Sequence, residues 1–457
     1  MLIPVKDRPR GGNVTKLSKQ TTIAVLFSIL VAAVLVAQPS ETALQQNWSQ
    51  WRGPTNTGVA AGDAPTQWSD TVNVHWKTLI PGRGFSSPIV WEDRIFLTTA
   101  IPTGVKKGPQ TRLSFAGGNA DGNLEHRFEV MSLDRLTGDV LWKKTATVAT
   151  PHEGYHRQYG SFASNSPVTD GTYVWASFGS RGIYCYDMQG TLIWKKDFGV
   201  QMKMQLQFGE GAAPTLHDNS LFLTFDHNED SFIVALDKET GRELWRTPRD
   251  EISNWSMPLV VEHNGQRQIV VSATAKTRAY EYETGRLIWE ASGLGPNTIP
   301  APVQFGDLVF AMSGFRNPRL MAIRLGNTGD LTNTQAVVWN TTRGTSYTAS
   351  PVLHDGMLYV LTDSGMLSNF DAKTGTPHYQ QVRMPKPYNF KASPIAAAGK
   401  LYLATEDQDV VIVKLGANFE VLTTNTLTDE SFIATPAIAQ GDLFLRSRTA
   451  LYRIGSN

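Results

Sequence analysis

Residues 213–245 read APTLHDNSLFLTFDHNEDSFIVALDKETGRELW and contain a unit that recurs through the chain. The unit opens with a small residue before proline, continues with two apolar runs, and ends with a Thr-Gly turn followed by tryptophan. The opening proline recurs at Pro88, Pro167, Pro214, Pro258, Pro302, Pro351, Pro394 and Pro436. After a first gap of 79 residues, these prolines are 42 to 49 residues apart. A period in the range of about 40–50 residues, carried by short strands, is typical of a β-propeller blade.

Each unit is predicted to form four antiparallel strands, because Asp-Gly and Ser-Gly pairs at regular offsets supply the positive φ angles of tight hairpins. The pattern begins at residues 72–77 with an outer strand alone, and it ends after Thr435-Pro436 with three strands that lack an outer one. Joining the two ends completes an eighth blade and removes exposed strand edges. The fold prediction is therefore all-β: an eight-bladed β-propeller of four-stranded antiparallel blades, with the ring closed by an N-terminal strand.

A tryptophan follows the Thr-Gly turn in several units, and its flat ring is expected to pack between neighbouring blades. Its indole N–H can then reach a backbone carbonyl of the neighbouring blade. The residues predicted for this docking role are Trp76, Trp142, Trp194, Trp245 and Trp289. The motif is eroded in the fifth, seventh and eighth units. Trp68 lies outside the pattern and is expected to contribute much less to stability.

Charge and cysteine content exclude several classes of protein. The chain has 42 Lys and Arg residues against 41 Asp and Glu residues, a formal net charge of +1, so no nucleic-acid partner is expected. The single cysteine, Cys185, cannot form an internal disulfide and lies in an apolar strand, where a buried, unreactive role is predicted. One ring is long enough to bury its own core, and a monomer is predicted.

Residues 1–37 are predicted to be a signal peptide or a signal anchor. Thr21–Ala37 is an apolar run of 17 residues that follows five lysines and arginines, and this positive flank should stay in the cytoplasm. The run is at the short end of the span of a bilayer, and Leu35 makes cleavage after Ala37 unfavourable. Two alternatives therefore remain: the segment is removed, or residues 21–37 tether the protein to the inner membrane. In either case the propeller is expected to be exported to the periplasm.

Residues 38–71 are predicted to be a linker that carries a Trp-rich segment, and residues 72–457 are predicted to be the propeller. The Trp-rich segment, Asn47–Pro54, is expected to pack its two tryptophans across the propeller surface.

Two segments, residues 102–123 and residues 147–165, exceed the repeat, and loops of this kind on a rigid scaffold often carry function. The second contains His152-Glu153-Gly154-Tyr155-His156, which satisfies the H-E-x-x-H pattern of zinc hydrolases. Pro151 and Gly154 oppose the helix that this motif requires, so neither a metal site nor a catalytic residue is predicted. His152, Glu153 and His156 are predicted either to hydrogen-bond to neighbouring blades or to contact a ligand at the mouth of the channel.

The motif Ala235-x-Asp237-x-x-Thr240-Gly241-x-x-x-Trp245 resembles the tryptophan-docking motif of quinoproteins, whose eight-bladed propellers bind pyrroloquinoline quinone (PQQ). Residues 51–54 and 151–167 resemble exported PQQ-like repeat proteins of the planctomycete type. The propeller lipoprotein of outer-membrane barrel assembly shares this architecture. Alcohol-oxidising quinoproteins resemble each other in a vicinal cysteine pair, which one cysteine cannot supply, and the chain has no C-x-x-C-H haem motif.

If a quinone is bound, the resemblance implies a planar anionic ligand held by arginine and an aromatic ring. Arg249 and Trp255 precede the fourth inner strand and Arg343 precedes the sixth, so these residues are the candidates for that role. The alternative for Arg249 and Trp255 is an ion pair between blades and a packed tryptophan.

These observations favour an exported binding or scaffold propeller that docks a protein, a peptide or a small ligand on its face or in its channel. Docking could use loops or the addition of a strand. This interpretation requires neither catalysis nor a cofactor. The alternative is a PQQ-dependent quinoprotein oxidoreductase, which would use PQQ with calcium to oxidise an alcohol or a sugar.

Overall fold

The computed structural model describes residues 46–108 and 116–456. Within these residues, eight sheets of four or five strands follow one another along the chain. The predicted all-β, eight-bladed propeller is therefore confirmed. The predicted signal segment, residues 1–37, lies outside the described residues, and within them no helix is both long enough and apolar enough to cross a membrane.

The strands follow the predicted repeat, with the inner strand of each blade first. Strand β1 (Val74–Leu79) precedes the first complete blade. Blade 1 contains β2 (Ile89–Trp91), β3 (Arg94–Lys106), β4 (Leu124–Asp134) and β5 (Val140–Ala149). Blade 2 contains β6 (Val168–Thr169), β7 (Tyr173–Ser177), β8 (Ile183–Asp187) and β9 (Leu192–Lys196). Blade 3 contains β10 (Thr215–His217), β11 (Ser220–Phe225), β12 (Ser231–Asp237) and β13 (Glu243–Arg249). Two short 3-10 helices, Gly179–Arg181 and Gln205–Gln207, lie in connections.

Blade 4 contains β14 (Leu259–His263), β15 (Gln266–Val271), β16 (Lys276–Glu281) and β17 (Leu287–Ser292). Blade 5 contains β18 (Val303–Phe305), β19 (Leu308–Ser313), β20 (Arg319–Arg324) and β22 (Val337–Thr341), and the segment between its last two strands contributes β21 (Gly329–Asp330) to blade 4. Blade 6 contains β23 (Val352–His354), β24 (Met357–Leu361), β25 (Met366–Asp371) and β26 (Pro377–Arg383). Blade 7 contains β27 (Ile395–Ala397), β28 (Lys400–Ala404), β29 (Asp409–Lys414) and β30 (Val421–Thr426). Blade 8 contains β31 (Ala437–Ala439), β32 (Asp442–Arg446) and β33 (Ala450–Ile454).

The ring closes through β1, which is the fourth strand of blade 8. It pairs with β33 in antiparallel register from Val74 opposite Ile454 to Leu79 opposite Ala450. With this pairing, each blade of the described residues has four antiparallel strands, as predicted. Blade 4 has β21 as a fifth strand.

The residue before the inner-strand proline links neighbouring blades at four places. Its hydroxyl oxygen there accepts a hydrogen bond from a backbone N–H of the preceding blade. Such bonds join Ser87 N to Ser166 Oγ at 2.9 Å, Ala301 N to Ser350 Oγ at 2.9 Å, Ser350 N to Ser393 Oγ at 2.9 Å and Ser393 N to Thr435 Oγ1 at 3.1 Å. The small residue in the repeat therefore satisfies buried N–H groups close to the propeller axis.

Four tryptophans of the outer strands pack on the glycine of a turn in the next blade, namely Trp76, Trp142, Trp194 and Trp245. Trp245 Nε1 donates to Tyr282 O at 2.9 Å, and a Cβ atom at Gly285 would lie 2.3 Å from its ring, so the ring requires glycine there. Three other indoles donate in the same way, in the pairs Trp76 to Arg135 O at 3.0 Å, Trp142 to Met188 O at 2.9 Å and Trp194 to Lys238 O at 3.0 Å.

Three tryptophans depart from the sequence expectation. Trp289 is fully buried but donates to Gln268 Oε1 of its own blade at 3.0 Å, because the turn that it would meet is replaced by the segment that carries β21. Trp339 donates to Ala372 O of the next blade at 3.0 Å, although the motif of its unit is eroded. Trp68 is only 5% exposed, so its place outside the motif does not indicate a small contribution to stability.

The Trp-rich segment does not pack across the propeller surface, and that expectation is wrong. Trp48 and Arg52 are fully buried. Residues 48–60 bond to the inner strands, or to the residues just before them, of six blades. These bonds are Trp48 N to Val90 O at 2.9 Å, Thr169 N to Ser49 O at 3.0 Å, Leu216 N to Gln50 Oε1 at 3.0 Å, Trp51 Nε1 to Thr435 Oγ1 at 3.0 Å, Arg52 to Pro351 O and Pro394 O at 2.9 Å, and Ala60 N to Ala396 O at 2.8 Å. Because inner strands surround the axis, residues 48–60 fill the channel, and we call them the axial plug.

Candidate functional site

The two ends of the propeller differ in what they carry. In four-stranded antiparallel blades, the first and third turns lie at one end, which we call the turn face. The second hairpin and the connection to the next blade lie at the other end, which we call the loop face. The described residues of both insertions that the sequence singles out therefore lie on the loop face.

On the loop face, three segments of blades 1 to 3 pack against each other. Ala120 of the first insertion pairs with Tyr155 of the second in an antiparallel bridge. His156 N donates to Phe208 O at 2.9 Å, which ties the second insertion to the connection between blades 2 and 3. The second insertion also extends to blade 8, where Arg448 donates to Gln158 O at 2.9 Å. The insertions therefore form one folded cap over part of this face.

His152 and Glu153 lie inside this cap and bond to protein groups. His152 Nε2 lies 2.8 Å from Met202 O, and its Nδ1 lies 2.9 Å from a guanidinium nitrogen of Arg181. Burial lowers the pKa of His152, so the neutral ring donates from Nε2 and accepts at Nδ1. Glu153 accepts from Met204 N at 2.9 Å, and burial raises the pKa of this carboxyl group.

His156 has separate partners, and the H-E-x-x-H residues do not form a zinc site in the described residues. The His156 ring stacks on Tyr159 with centroids 4.8 Å apart and packs edge-on against Phe208. Its Nδ1 accepts from the backbone N–H groups of Gln158 and Tyr159, each at 3.3 Å. Within residues 46–108 and 116–456, no group of three or more His, Cys, Asp or Glu side chains could hold a metal ion.

Arg249 is buried in an ion pair, but its partner Asp226 belongs to the same blade, whereas the alternative expected a pair between blades. Its Nε and a terminal nitrogen donate to the two carboxylate oxygens of Asp226 at 2.7 and 2.9 Å. Its other terminal nitrogen donates to the hydroxyl group of Tyr280 in blade 4 at 2.6 Å. All donor nitrogens of this guanidinium group therefore have protein acceptors.

Trp255 and Arg343 lie apart from one another. The Trp255 indole donates to Gly209 O at 2.7 Å and its backbone N–H donates to Thr298 O at 2.8 Å, so it links the connections around blades 3 and 4. Arg343 is exposed and contacts Gln381 on the outer strand of blade 6 at 3.3 Å. Arg249, Trp255 and Arg343 therefore have separate hydrogen-bond partners within the described residues.

Two adjoining clefts under the cap involve residues that the sequence did not single out. The first is a cleft open to solvent, and His152, Glu153 and Arg181 contribute to its walls. Asn165 and Glu210 line both this cleft and the second one. Neither residue belongs to a motif, so only the placement of the cap brings them together.

Comparison with known proteins identifies the repeat. Residues 126–336 and 331–451 match the family described as outer membrane protein assembly factor BamB. BamB from Francisella salina is 32% identical over 99 residues, which cover 21% of this chain and 17% of that protein. Polyvinylalcohol dehydrogenase from a Pseudomonas species is 23% identical over 239 residues, which cover 46% of this chain and 30% of that protein. The matches thus span under a third of these relatives' own lengths.

A solved structure shows the same fold. Quinohemoprotein alcohol dehydrogenase from Comamonas testosteroni superposes with a TM-score of 0.62 at 11% identity, and the match covers 91% of this chain and 82% of that one. At this identity the similarity shows the propeller architecture alone.

Proposed function

Because the chain belongs to the PQQ-like repeat family described as outer membrane protein assembly factor BamB, we propose that it is an exported scaffold. In this proposal it docks a protein or peptide partner by strand addition at the outer edge of its ring. The family description and the apolar run of residues 21–37 support export.

The pairing of β21 with the outer strand of blade 4 carries this proposal. Gly329 lies opposite Trp289 and Asp330 lies opposite Glu290, in parallel register. Leu331 N extends the contact by donating to Glu290 O at 2.8 Å. A segment of the chain itself therefore adds to the edge of a blade by main-chain pairing, and an extended partner could use the same interaction at a free edge.

The outer strand of blade 1 is the edge that we assign to a partner. Strand β5 spans Val140–Ala149, and in the described part of the chain its sheet ends there. It exposes Val140, Leu141 and Val148 at 47, 45 and 51%. A long edge with exposed apolar side chains invites pairing with another strand, which would bury both the side chains and the free backbone groups.

The axial plug supports an external docking site. Residues 48–60 occupy the channel and bond to six of the eight blades, so a partner cannot thread through the axis without displacing them. The perimeter and the two faces of the ring remain as the surfaces for binding.

Site-specific photocrosslinking tests the assignment. A photoreactive residue at position 141 should form an adduct with an envelope partner, and Leu141→Lys in β5 should abolish recovery of that complex. The matched control is position 287, because Leu287 is 41% exposed on an outer strand that β21 already covers. Equal adducts at positions 141 and 287, or recovery unaffected by Leu141→Lys, would refute docking at β5.

The second candidate function is a PQQ-dependent oxidoreductase acting on an alcohol or a sugar. The match to polyvinylalcohol dehydrogenase supports it. It gains no support from Arg249 and Trp255, whose polar groups already bond to protein atoms and share no partner with Arg343. Titration with PQQ and calcium, followed by absorbance and mass spectrometry, tests it. Stoichiometric retention of PQQ would favour the oxidoreductase over the scaffold.

A further inference from the structure

We propose that the two adjoining clefts under the cap bind an alkylammonium group between Glu210 and Asn165. The proposal concerns the loop face and is independent of docking at the outer edge of blade 1.

Asn165 is the first indication of a ligand. It is only 6% exposed and lines both clefts. Its backbone carbonyl accepts from Thr98 Oγ1 at 3.1 Å, but its side-chain amide makes no hydrogen bond to the described residues. This amide faces the clefts, so a bound polar group could pair with it in place of water.

Glu210 is the second indication, because the chain holds its carboxylate in a fixed position. Ser180 donates to it twice at 2.6 Å, from its backbone N–H and from its hydroxyl group. Gly179 has a φ of +57°, and a Cβ atom there would lie 1.7 Å from Glu210 Oε2. Only glycine therefore lets the hairpin approach the carboxylate this closely.

The charges around the first cleft select a cation. Glu153 and Glu210 contribute two carboxyl groups to its walls, whereas Arg181 contributes one guanidinium group that already donates to the neutral His152 ring. Burial raises the pKa of Glu210 to about 7, and a cation bound beside it would favour the ionised carboxylate. A neutral ligand would not have this effect.

The apolar walls select an organic cation with a slender stem. Phe128, Phe162 and Phe178 line the same cleft, and aromatic faces attract ammonium groups. An alkyl chain can pack on these rings while its ammonium group donates to Glu210 and to the amide oxygen of Asn165. The same chemistry is offered by a free amine and by a lysine side chain of a peptide.

Calorimetric titration of the full chain distinguishes these sources. The probes are n-butylammonium with n-butanol as its neutral counterpart, and N-acetyl-lysine methylamide with the norleucine compound as its counterpart. Binding of butylammonium assigns the site to free amines, and binding of the lysine compound alone assigns it to peptides. Neither neutral counterpart should bind at the same concentration.

Substitutions complete the test. Glu210→Gln keeps the shape of the side chain and should weaken binding of the charged probe at least tenfold, and Asn165→Ala should weaken it severalfold. Glu239→Gln, on an exposed turn of blade 3, should leave it unchanged. Wild-type circular dichroism spectra in each variant would show that the fold is intact. Equal binding of neutral and charged probes, unchanged binding in Glu210→Gln, or no binding of either amine would overturn the proposal.

Discussion

Trp245→Ala tests the role of the tryptophan in joining blades. Its indole packs beside Phe222, with ring centroids 6.0 Å apart, and donates to Tyr282 O at 2.9 Å. Removing a large aromatic side chain from a core costs about 3–5 kcal/mol. Because Trp245 is partly exposed, the packing loss should lie at or below the lower end of this range, and the lost hydrogen bond adds about 1 kcal/mol. We therefore expect a total of about 3–4 kcal/mol.

Two further variants separate packing from hydrogen bonding. Trp245→Phe keeps most of the ring but has no indole N–H. The lost hydrogen bond should lower the free energy of unfolding by about 1 kcal/mol, in addition to any loss from packing. Leu244→Ala is the matched control, because Leu244 precedes Trp245 on the same strand and is 41% exposed. It should change stability by less than about 0.5 kcal/mol.

Urea unfolding followed by far-ultraviolet circular dichroism measures these differences. If Trp245→Ala lowers the free energy of unfolding by less than about 1 kcal/mol, or if Leu244→Ala costs as much, the docking of the indole does not hold the blades together.

Two other predictions follow from single residues. Gly285→Ala should cost more than Gly265→Ala in urea unfolding, because both residues have φ near +70° but only position 285 would bring a Cβ atom within 2.3 Å of Trp245; equal losses would contradict the packing. Burial raises the pKa of Glu210, which lies near Arg181 and Glu153, to about 7. The protonated carboxyl group therefore stabilises the fold below the usual Glu pKa, and this stabilisation is lost as the pH rises to 7. Glu210→Gln should flatten the pH dependence of the unfolding midpoint between pH 5 and 8, and an unchanged slope would contradict the buried carboxylate.

The repeat predicted the ring well because each blade is encoded locally. The spacing of the prolines, the apolar runs and the Thr-Gly turns all describe contacts within one blade or between adjacent ones. Ring closure was predictable for the same reason, since the first and last units are each incomplete and only β1 can complete blade 8.

The axial plug was not predictable, because its contacts depend on geometry that appears only after the ring has closed. Residues 48–60 carry no repeat, and Arg52 finds its acceptors at Pro351 and Pro394, about 300 residues along the chain. Two tryptophans in a polar segment are equally compatible with a surface and with a channel. Trp289 was misassigned for a related reason, because the insertion that replaces its docking turn lies in the next unit.

The cleft residues show that a binding site is as hard to predict from the sequence as the axial plug. His152 and Glu153 belong to a sequence motif, but their hydrogen bonds hold the cap together. Asn165 and Glu210 have no motif and lie 45 residues apart, but the cap brings them to the walls shared by two clefts. A motif records spacing along the chain, whereas a binding site needs groups that face a common space. In this propeller the groups that meet that requirement come from the connections that vary between blades.

The contacts of the axial plug explain why we propose a partner on the outside of the ring. The guanidinium group of Arg52 is fully buried without a carboxylate, and this burial lowers its pKa to about 9, which makes the charge costly in the folded state. The hydrogen bonds to Pro351 O and Pro394 O and the burial of Trp48 offset that cost only while the plug stays in the channel. Withdrawing the plug would leave two inner-strand carbonyls without donors and expose a large apolar ring. Opening the axis therefore carries a penalty that binding at an outer strand avoids, since β5 already presents its edge.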